Sequence, residues 1–257
     1  MVSVCMATHN GEQYILDQVK SILIQLNSED ELIVSDDGSH DRTLEILRNI
    51  NDKRIRIIEY TQTIAGIRNN KQQGFYYASA NFINALKHAK GDIILLADQD
   101  DVWDKNKIDI CKRALQEYDI IKHNYSIIDK EGRIVQKQVS SSSDYAHMTV
   151  INSLKYLPFR GCCLAFKRDV FENCLPFPKN CFQHDIWIGM IALLYNYNFG
   201  FINKDLILHR VHENNVSELS SSNTLLFKIQ YRIKLILNLI IHRIKWRNDN
   251  KTAVRKY

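Results

Sequence analysis

Through residues 1–118, short apolar runs alternate with helical patterns, and this alternation most constrains the fold. "VSVCMA" (residues 2–7), "ELIVSD" (31–36), "RIRIIEY" (54–60) and "DIILLAD" (92–98) read as strands. Between and after them, "EQYILDQVKSILIQL", "RTLEILRNI", "FYYASANFINALKHA" and "KNKIDICKRALQEY" carry apolar residues at helical spacing. A βαβ series of this kind predicts a Rossmann-like, mostly parallel central sheet with helices on both faces. Length permits one large α/β domain or two small ones: 257 residues, 45% hydrophobic and 25% charged, can enclose a sizeable core. After about residue 119 the pattern loosens. "SSSSDYAH" (140–147) reads as a surface loop and "DKEG" as a turn, while "HDIWIGMIALLYN" is again helical and "FGFINKDLILHRV" extended.

Ligands of open α/β sheets sit beyond the carboxyl ends of the strands, and polar residues gather there. Thr8, His9 and Asn10 follow the first strand, Asp36 and Asp37 end the second, and Asp98, Asp100 and Asp101 follow the later one in "LLADQDDVW". Three carboxylates at the end of a buried strand require a cation, a basic cluster or open solvent. Asp36 and Asp37 have a plainer reading as an acidic turn, with Gly38 and Ser39 making the turn and capping the next helix.

Several classes drop out. A dinucleotide site needs GxGxxG after the first strand, but "ATHNGEQ" has the single Gly11, and no GxxxxGK[ST] is present. The six cysteines form no CxxC pair and lack zinc-finger histidine spacing, which points to reduced thiols. Net charge is +5, with basic residues gathered toward the C-terminus, a distribution that predicts a local anionic partner and no nucleic acid. "MVSVCMATHN" lacks a basic leader and its apolar run is broken at Thr8, so it reads as a first strand and not a signal peptide.

The ordered set "VSVCMATHNGEQYI", "IVSDDGSHDRT", "GDIILLADQDDVW", "HDIWIGMIA" and "HRVHENNV" resembles the family 2 glycosyltransferases of the A-type glycosyltransferase fold. "DQDDVW", the preceding "ANF" and the "HDIW" helix resemble the bacterial rhamnosyltransferase-like members that build surface polysaccharides. The resemblance covers roughly the first 215 residues. It implies a metal-dependent, inverting transfer of a hexosyl group from a nucleoside-diphosphate sugar, dTDP-rhamnose or a UDP-sugar, to a hydroxyl of a glycan or polyprenyl-linked acceptor. On the same resemblance residues 1–118 hold the nucleotide sugar and 119–220 the acceptor and base, within one domain; 221–257 form a basic amphipathic C-terminal helix.

The resemblance also implies roles. Asp98 and Asp100 match the DxD pair, Asp98 facing the ribose and metal shell and Asp100 binding Mg²⁺ or Mn²⁺; carboxylates, phosphate oxygens and water suit such hard cations. His212 falls where relatives place a metal- or diphosphate-side histidine. Asp36 matches the acid that meets the base, with Thr8, Asn10, Glu12 and Asp37 in the same crevice. Asp185 occupies the position of the catalytic base, although a carboxylate there can also simply cap its helix with His184. Trp103, Gly161, His184 and Arg210 are candidates on the acceptor or diphosphate side, and Trp103 with Asp101 is otherwise expected to pack behind the acidic turn. This chain departs from the family pattern YRxHGNN, with His209 for the tyrosine and Glu213 for the glycine. It also lacks the arginine that relatives carry before the DxD, for which Arg68 and Lys71 are the upstream substitutes. The cysteines of "RGCC" (160–163) read as packing residues.

Two rival functions stay open at this stage. A sugar nucleotidyltransferase would use the same sheet and acids, but begins with a glycine-rich basic loop that "ATHNGEQYI" lacks. A catalytically silent glycan-binding partner would have lost site acids that are present here. The tail "TLLFKIQYRIKLILNLIIHRIKWRN" interleaves apolar and basic residues too often for a span of roughly 20 apolar residues. It fits a helix lying on an anionic membrane, placing the protein in the cytoplasm at the inner face of the plasma membrane, or a helix buried against protein.

Overall fold

A computed structural model describes residues 1–62, 73–137, 139–140, 145, 148–179, 181–213 and 224–254, the last eight of these without their side chains. Arg68, Lys71, Asn214, Asn215 and most of the 140–147 loop lie outside the described residues.

The first half alternates as the sequence predicts: β1 (Val2–Thr8), α1 (Ile15–Leu23), β2 (Glu31–Asp36), α2 (Thr43–Asn49), β3 (Ile55–Glu59), α3 (Gln73–His88) and β4 (Ile93–Ala97). Then come β5 (Val102–Trp103), α4 (Lys107–Ala114), β6 (Ile120–Ile128), β7 (Ile134–Gln136), α5 (Val150–Tyr156), β8 (Leu164–Lys167), α6 (Arg168–Asn173), α7 (His184–Leu194), β9 (Phe199–Arg210) and α8 (Leu225–Val254). Among the described residues the strands form one mixed sheet in the order β3-β2-β1-β4-β8-β6-β9-β5, with β7 on β6. The β3-β2-β1-β4 half is parallel, as is β6-β9, and β8 runs antiparallel between the two.

Period-two alternation sorts the strand residues to the two faces. Val2, Val4 and Met6 of β1, with Leu32, Val34, Leu95 and Ala97, pack on α1 and α4 through Ile15, Val19, Ile22, Ile108 and Cys111. The intervening Cys5, Ile33, Ile94 and Leu96 face α3, α6 and α7, meeting Phe82, Leu86, Phe171 and Trp187. Both faces of the strands are covered, which is why their sequences read as continuous apolar runs. Truncating a fully buried side chain such as Leu86 costs about 2–5 kcal/mol, so either layer is indispensable.

Register sets up the site. Thr8 lies beside Asp36 across the parallel pair, and Met6 beside Ala97, so β1, β2 and β4 end together. The chain leaving β4 turns through Asp98–Asp101 into β5, which pairs antiparallel with β9, Trp103 opposite Ile207 and Val102 opposite Leu208. The continuation of β9 therefore passes the acidic turn.

The C-terminal helix α8 packs one side against protein. Leu235 and Leu239 are buried with the α7 layer, and Phe227 and Tyr231 pack edge-on against Phe182. The other side stays apolar yet exposed: Ile233 is 53% exposed, Leu237 54% and Ile241 50%, too many for an ordinary solvated helix face.

Candidate active site

The loop after β1 is built by side chains borrowed from two neighbouring strand ends. The Gln99 carbonyl accepts from Thr8 Oγ1 (2.6 Å) and from the His9 amide (2.9 Å), while its Nε2 donates to the His9 carbonyl (3.1 Å). Gln99, the middle residue between Asp98 and Asp100, thus ties that turn to the β1 loop. A Cβ at Gly11 would come within 2.5 Å of the Gln99 carbonyl oxygen, so a larger residue there would push the Gln99 side chain off the β1 loop. Gln18 of α1 adds a bond from Nε2 to the Asp98 carbonyl (2.8 Å).

The Asp36 end is as tightly made. Asp36 is buried and accepts from the Ser39 amide (2.9 Å) and hydroxyl (2.5 Å); Ser39 Oγ in turn accepts from the Asn10 amide (2.9 Å). Asn10, at φ 49°, accepts from the His40 amide at 2.9 Å. Ser39 therefore closes the crevice between the two loops and does not cap α2; the α2 start is served by Asp41, whose Oδ1 accepts from the Thr43 amide at 3.0 Å. Glu12 is exposed and accepts from the Arg42 amide (3.0 Å), at the rim. Asp37 accepts from Gln62 Nε2 (2.8 Å), and burial raises its carboxyl above the ordinary value.

At the acidic turn the three carboxylates meet three different environments. Asp100 Oδ2 lies 2.9 Å from His212 Nε2. Asp101 is completely buried; its Oδ1 accepts from His209 Nδ1 (2.8 Å) and from the Arg210 amide (3.2 Å), while Oδ2 has no hydrogen-bond partner among the described residues. Burial alone would raise Asp101 and lower His209, but their mutual attraction outweighs it: Asp101 is held below the ordinary range and His209 is raised to about 9. The pair is a buried carboxylate–imidazolium bridge. Asp98 goes the other way, raised to about 7 by burial and then by Asp101 and Asp100. Its negative charge is thus the one left undercompensated, which is the condition a cation relieves.

Among the described residues one group brings metal-ligating atoms together. Ligand atoms of Asp98, Asp101, Cys162 and His209 all lie within 4.8 Å of one another. That group already contains the His209 cation, with Arg160 Nη1 at 3.3 Å from His209 Nε2, so a further dication there meets repulsion. Asp100 and His212 form a second acid–imidazole pair at the same turn.

The remaining candidates fall on one more connection. Asp185, in the first turn of α7, accepts from the Gly161 amide through Oδ2 (3.0 Å) and from the Ile186 amide through Oδ1 (2.9 Å). Gly161 begins a single 3₁₀ turn, Gly161–Cys163, and the next residue, Cys162, lies against Asp98. Adjacent residues of one turn thus contact the acidic cluster on one side and Asp185 on the other. A Cβ on Gly161 would sit 3.1 Å from His184 Nε2, so any side chain there crowds the neighbour of Asp185. His184 itself is buried on Phe82 (ring centroids 4.2 Å), its amide donating to Ser79 Oγ at 2.9 Å, and burial keeps its imidazole neutral. Trp103 is 4% exposed with its amide donating to Ser21 Oγ (3.0 Å), packed behind the turn. Arg210 is buried across the back, Nε donating to the Asp100 carbonyl (3.0 Å) with the guanidinium 4.6 Å from the Tyr14 ring centre.

Gln99, Asp101, His209, Arg160 and Lys107 are the site-supporting residues the sequence did not single out for these roles. Lys107 is fully buried at the start of α4, Nζ donating to the Cys162 carbonyl (2.8 Å) and lying 3.8 Å from the Trp103 ring centre. In "DKNKID" it looks like any exposed helix-start lysine.

Comparison with known proteins bears on this geometry. A family model described as Glycosyl transferase family 2 matches residues 3–175. A dTDP-rhamnosyl transferase, RfbG, of Shigella flexneri is 28% identical over 97% of this chain and 83% of its own. The Escherichia coli UDP-Glc:alpha-D-GlcNAc-diphosphoundecaprenol beta-1,3-glucosyltransferase WfgD is 27% identical over 86% of this chain and 73% of its own. Among solved structures, Staphylococcus aureus TarS in complex with UDP-GlcNAc superposes with TM-score 0.66 at 21% identity, covering 92% of this chain and 66% of that one. A Pyrobaculum calidifontis mannosyltransferase in complex with GDP-Man and Mn²⁺ gives TM-score 0.59 at 20% identity, covering 84% of this chain and 58% of that one.

Proposed function

The chain belongs to glycosyl transferase family 2, and on that premise we propose that it moves a sugar, with inversion, from a pyrimidine nucleoside-diphosphate sugar to a hydroxyl of a lipid-linked glycan. Membership makes it a glycosyltransferase of polysaccharide synthesis; donor, acceptor, metal and membrane face are our reading. One observation supports it: the 3₁₀ turn Gly161–Cys163 lies between Asp185 and the Asp98–Asp101 turn, its first residue donating to Asp185 and its second lying against Asp98. The donors in the relatives' names, a dTDP- and a UDP-sugar, support a pyrimidine base beside Asp36. The acceptor named for WfgD supports a polyprenyl diphosphate carrier.

In this reading residues 1–118 hold the donor, with Thr8, Asn10 and Glu12 along the nucleotide, and 119–220 present the acceptor. Asp98, Asp100 and His212 would hold Mg²⁺ or Mn²⁺, which when bound compensates the charge of the diphosphate. Asp185 takes the proton of the acceptor hydroxyl as its oxygen bonds to the anomeric carbon. The bond from that carbon to the diphosphate breaks on the opposite face, and the electron pair leaves with the nucleoside diphosphate. The hydrogen bonds from Gly161 and Ile186 fix the carboxylate for this transfer.

Nucleotide binding tests the reading directly. UDP or dTDP at a hundredfold excess over its dissociation constant should stabilise the fold by about 2.7 kcal/mol in the presence of Mn²⁺. Equal thermal shifts in EDTA would remove the metal assignment, and no shift with any nucleoside diphosphate would remove the donor site. Turnover of sugar-1-phosphate with a nucleoside triphosphate would instead identify a nucleotidyltransferase.

No helix among the described residues is long and apolar enough to cross a membrane. We read α8 as a peripheral contact with the anionic inner leaflet, supported by its exposed Ile233, Leu237 and Ile241 beside Lys234 and Lys245. Cutting the chain before Leu225 would strip Leu235 and Leu239 from α7, so charge reversal is the cleaner test. Because each surface cation contributes about 1 kcal/mol at such a membrane, Lys234→Glu with Lys245→Glu should weaken binding to phosphatidylglycerol vesicles at least about tenfold. Undiminished cosedimentation would refute the membrane contact.

A further inference from the structure

α5 and α8 enclose an apolar groove of about 460 Å³ whose walls include Ile151, Leu154, Leu194, Ile236 and Ile240. Its rims stand in solvent, Ile151 at 74% and Ile240 at 51% exposure, while Leu239 at the floor is buried. The walls are tied together: Arg232 of α8 donates from Nε to the Leu154 carbonyl (2.7 Å) and from Nη2 to the Lys155 carbonyl (2.9 Å), satisfying carbonyls that the end of α5 leaves open. Among the described residues Arg243 is the one charged residue lining the groove, and it lies over the Tyr195 ring at 4.7 Å.

Charge argues for the class of occupant. From Leu225 to Trp246, α8 carries Lys228, Arg232, Lys234, Arg243 and Lys245 and no acidic residue. A second copy laid along it, in either direction, would oppose basic residues with basic residues, whereas a lipid with an anionic head is attracted. The volume is that of a cleft for one ligand chain. Location narrows it further. Leu194 of the groove and Asp185 lie at opposite ends of the same helix, nine residues and about 14 Å apart along its axis. The groove thus borders the helix whose first turn carries Asp185.

We propose that the groove between α5 and α8 binds the isoprenoid chain of the polyprenyl diphosphate-linked acceptor. The proposal rests on the reading of the acceptor as lipid-linked, and its labelling test is independent of turnover. A polyprenyl phosphate bearing a photoreactive group in its chain, irradiated with the full-length protein in detergent, should label residues 150–154 and 236–244. Unlabelled polyprenyl phosphate should compete, and phosphatidylglycerol at the same concentration should not. Ile151→Glu with Ile240→Glu should cut labelling, and raise the KM for the polyprenyl-linked acceptor, by about tenfold or more. The same pair should leave kcat and the KM for a short-chain acceptor unchanged, and both residues are exposed enough for the fold to tolerate the change.

Labelling elsewhere, or equal competition by phosphatidylglycerol, would overturn the proposal in favour of bulk membrane contact. A wild-type dimer that the double variant dissolves would overturn it in favour of a second copy. Groove labelling in a protein that transfers no sugar would keep this inference and refute the proposed function, so the two fail separately.

Discussion

Asp185→Asn should reduce sugar transfer by about 10²- to 10⁴-fold, the usual cost of a lost general base, while donor affinity stays at the wild-type level. The amide keeps the size of the side chain. Through its oxygen it can still accept from the Gly161 or Ile186 amide, so the 3₁₀ turn and the acid cluster stay in place. Asp100→Asn should behave differently. Asp100 lies against His212 and in the proposed reading holds the metal, so its loss should weaken nucleotide binding along with turnover, and do so only when Mn²⁺ is present. Titrating each variant with UDP and dTDP, alongside single-turnover transfer, separates the two. Near-normal transfer by Asp185→Asn would reduce that residue to a helix cap and leave the base to be found elsewhere.

The largest stability effect is expected at a residue that need never touch substrate. His209→Leu removes the partner of a completely buried carboxylate whose other oxygen has no hydrogen bond among the described residues, and breaking a buried pair from one side costs about 3–5 kcal/mol. At about 2–4 °C per kcal/mol for a chain of this size, the melting temperature should fall visibly. The effect carries a pH signature. His209 is raised from an ordinary 6.5 to about 9, so its contribution is complete below pH 6.5 and disappears as pH rises through about 9. Asp101 is lowered from 3.8, so its contribution is present above pH 3.8 and is lost as pH falls below it. The gap in stability between wild type and His209→Leu should therefore be widest from about pH 4 to 6.5 and close above about pH 9. A gap that stays constant to pH 10 would mean that shape, and not charge, is what His209 supplies.

His209 also illustrates what could be read from the chain in one dimension. It stands where the family pattern has a tyrosine, and on sequence alone that is only a departure that puts the loop in doubt. In three dimensions it is the counter-charge of Asp101, 108 positions away, because β5 pairs with β9 and carries the acidic turn past the end of that strand. Gln99 is the same kind of case: the unspecified middle residue of a DxD turns out to clasp the β1 loop, 90 positions earlier.

By itself the sequence determined the α/β architecture, since short apolar runs such as residues 2–7 and 92–98 alternate with segments whose apolar residues, such as Ile15, Val19 and Ile22, recur at helical spacing. It also determined the order of the motifs, and with it the family. These are local properties, written in the spacing of neighbours and enforced by burial of apolar surface. Only the tertiary structure decided which acids find cations, that Lys107 lies buried beneath Trp103, and that α8 has both a packed side and a bare one. Such pairings depend on strand register and on which layer covers which, and those are set by the sum of many distant contacts, with no trace in the residues adjacent to each partner.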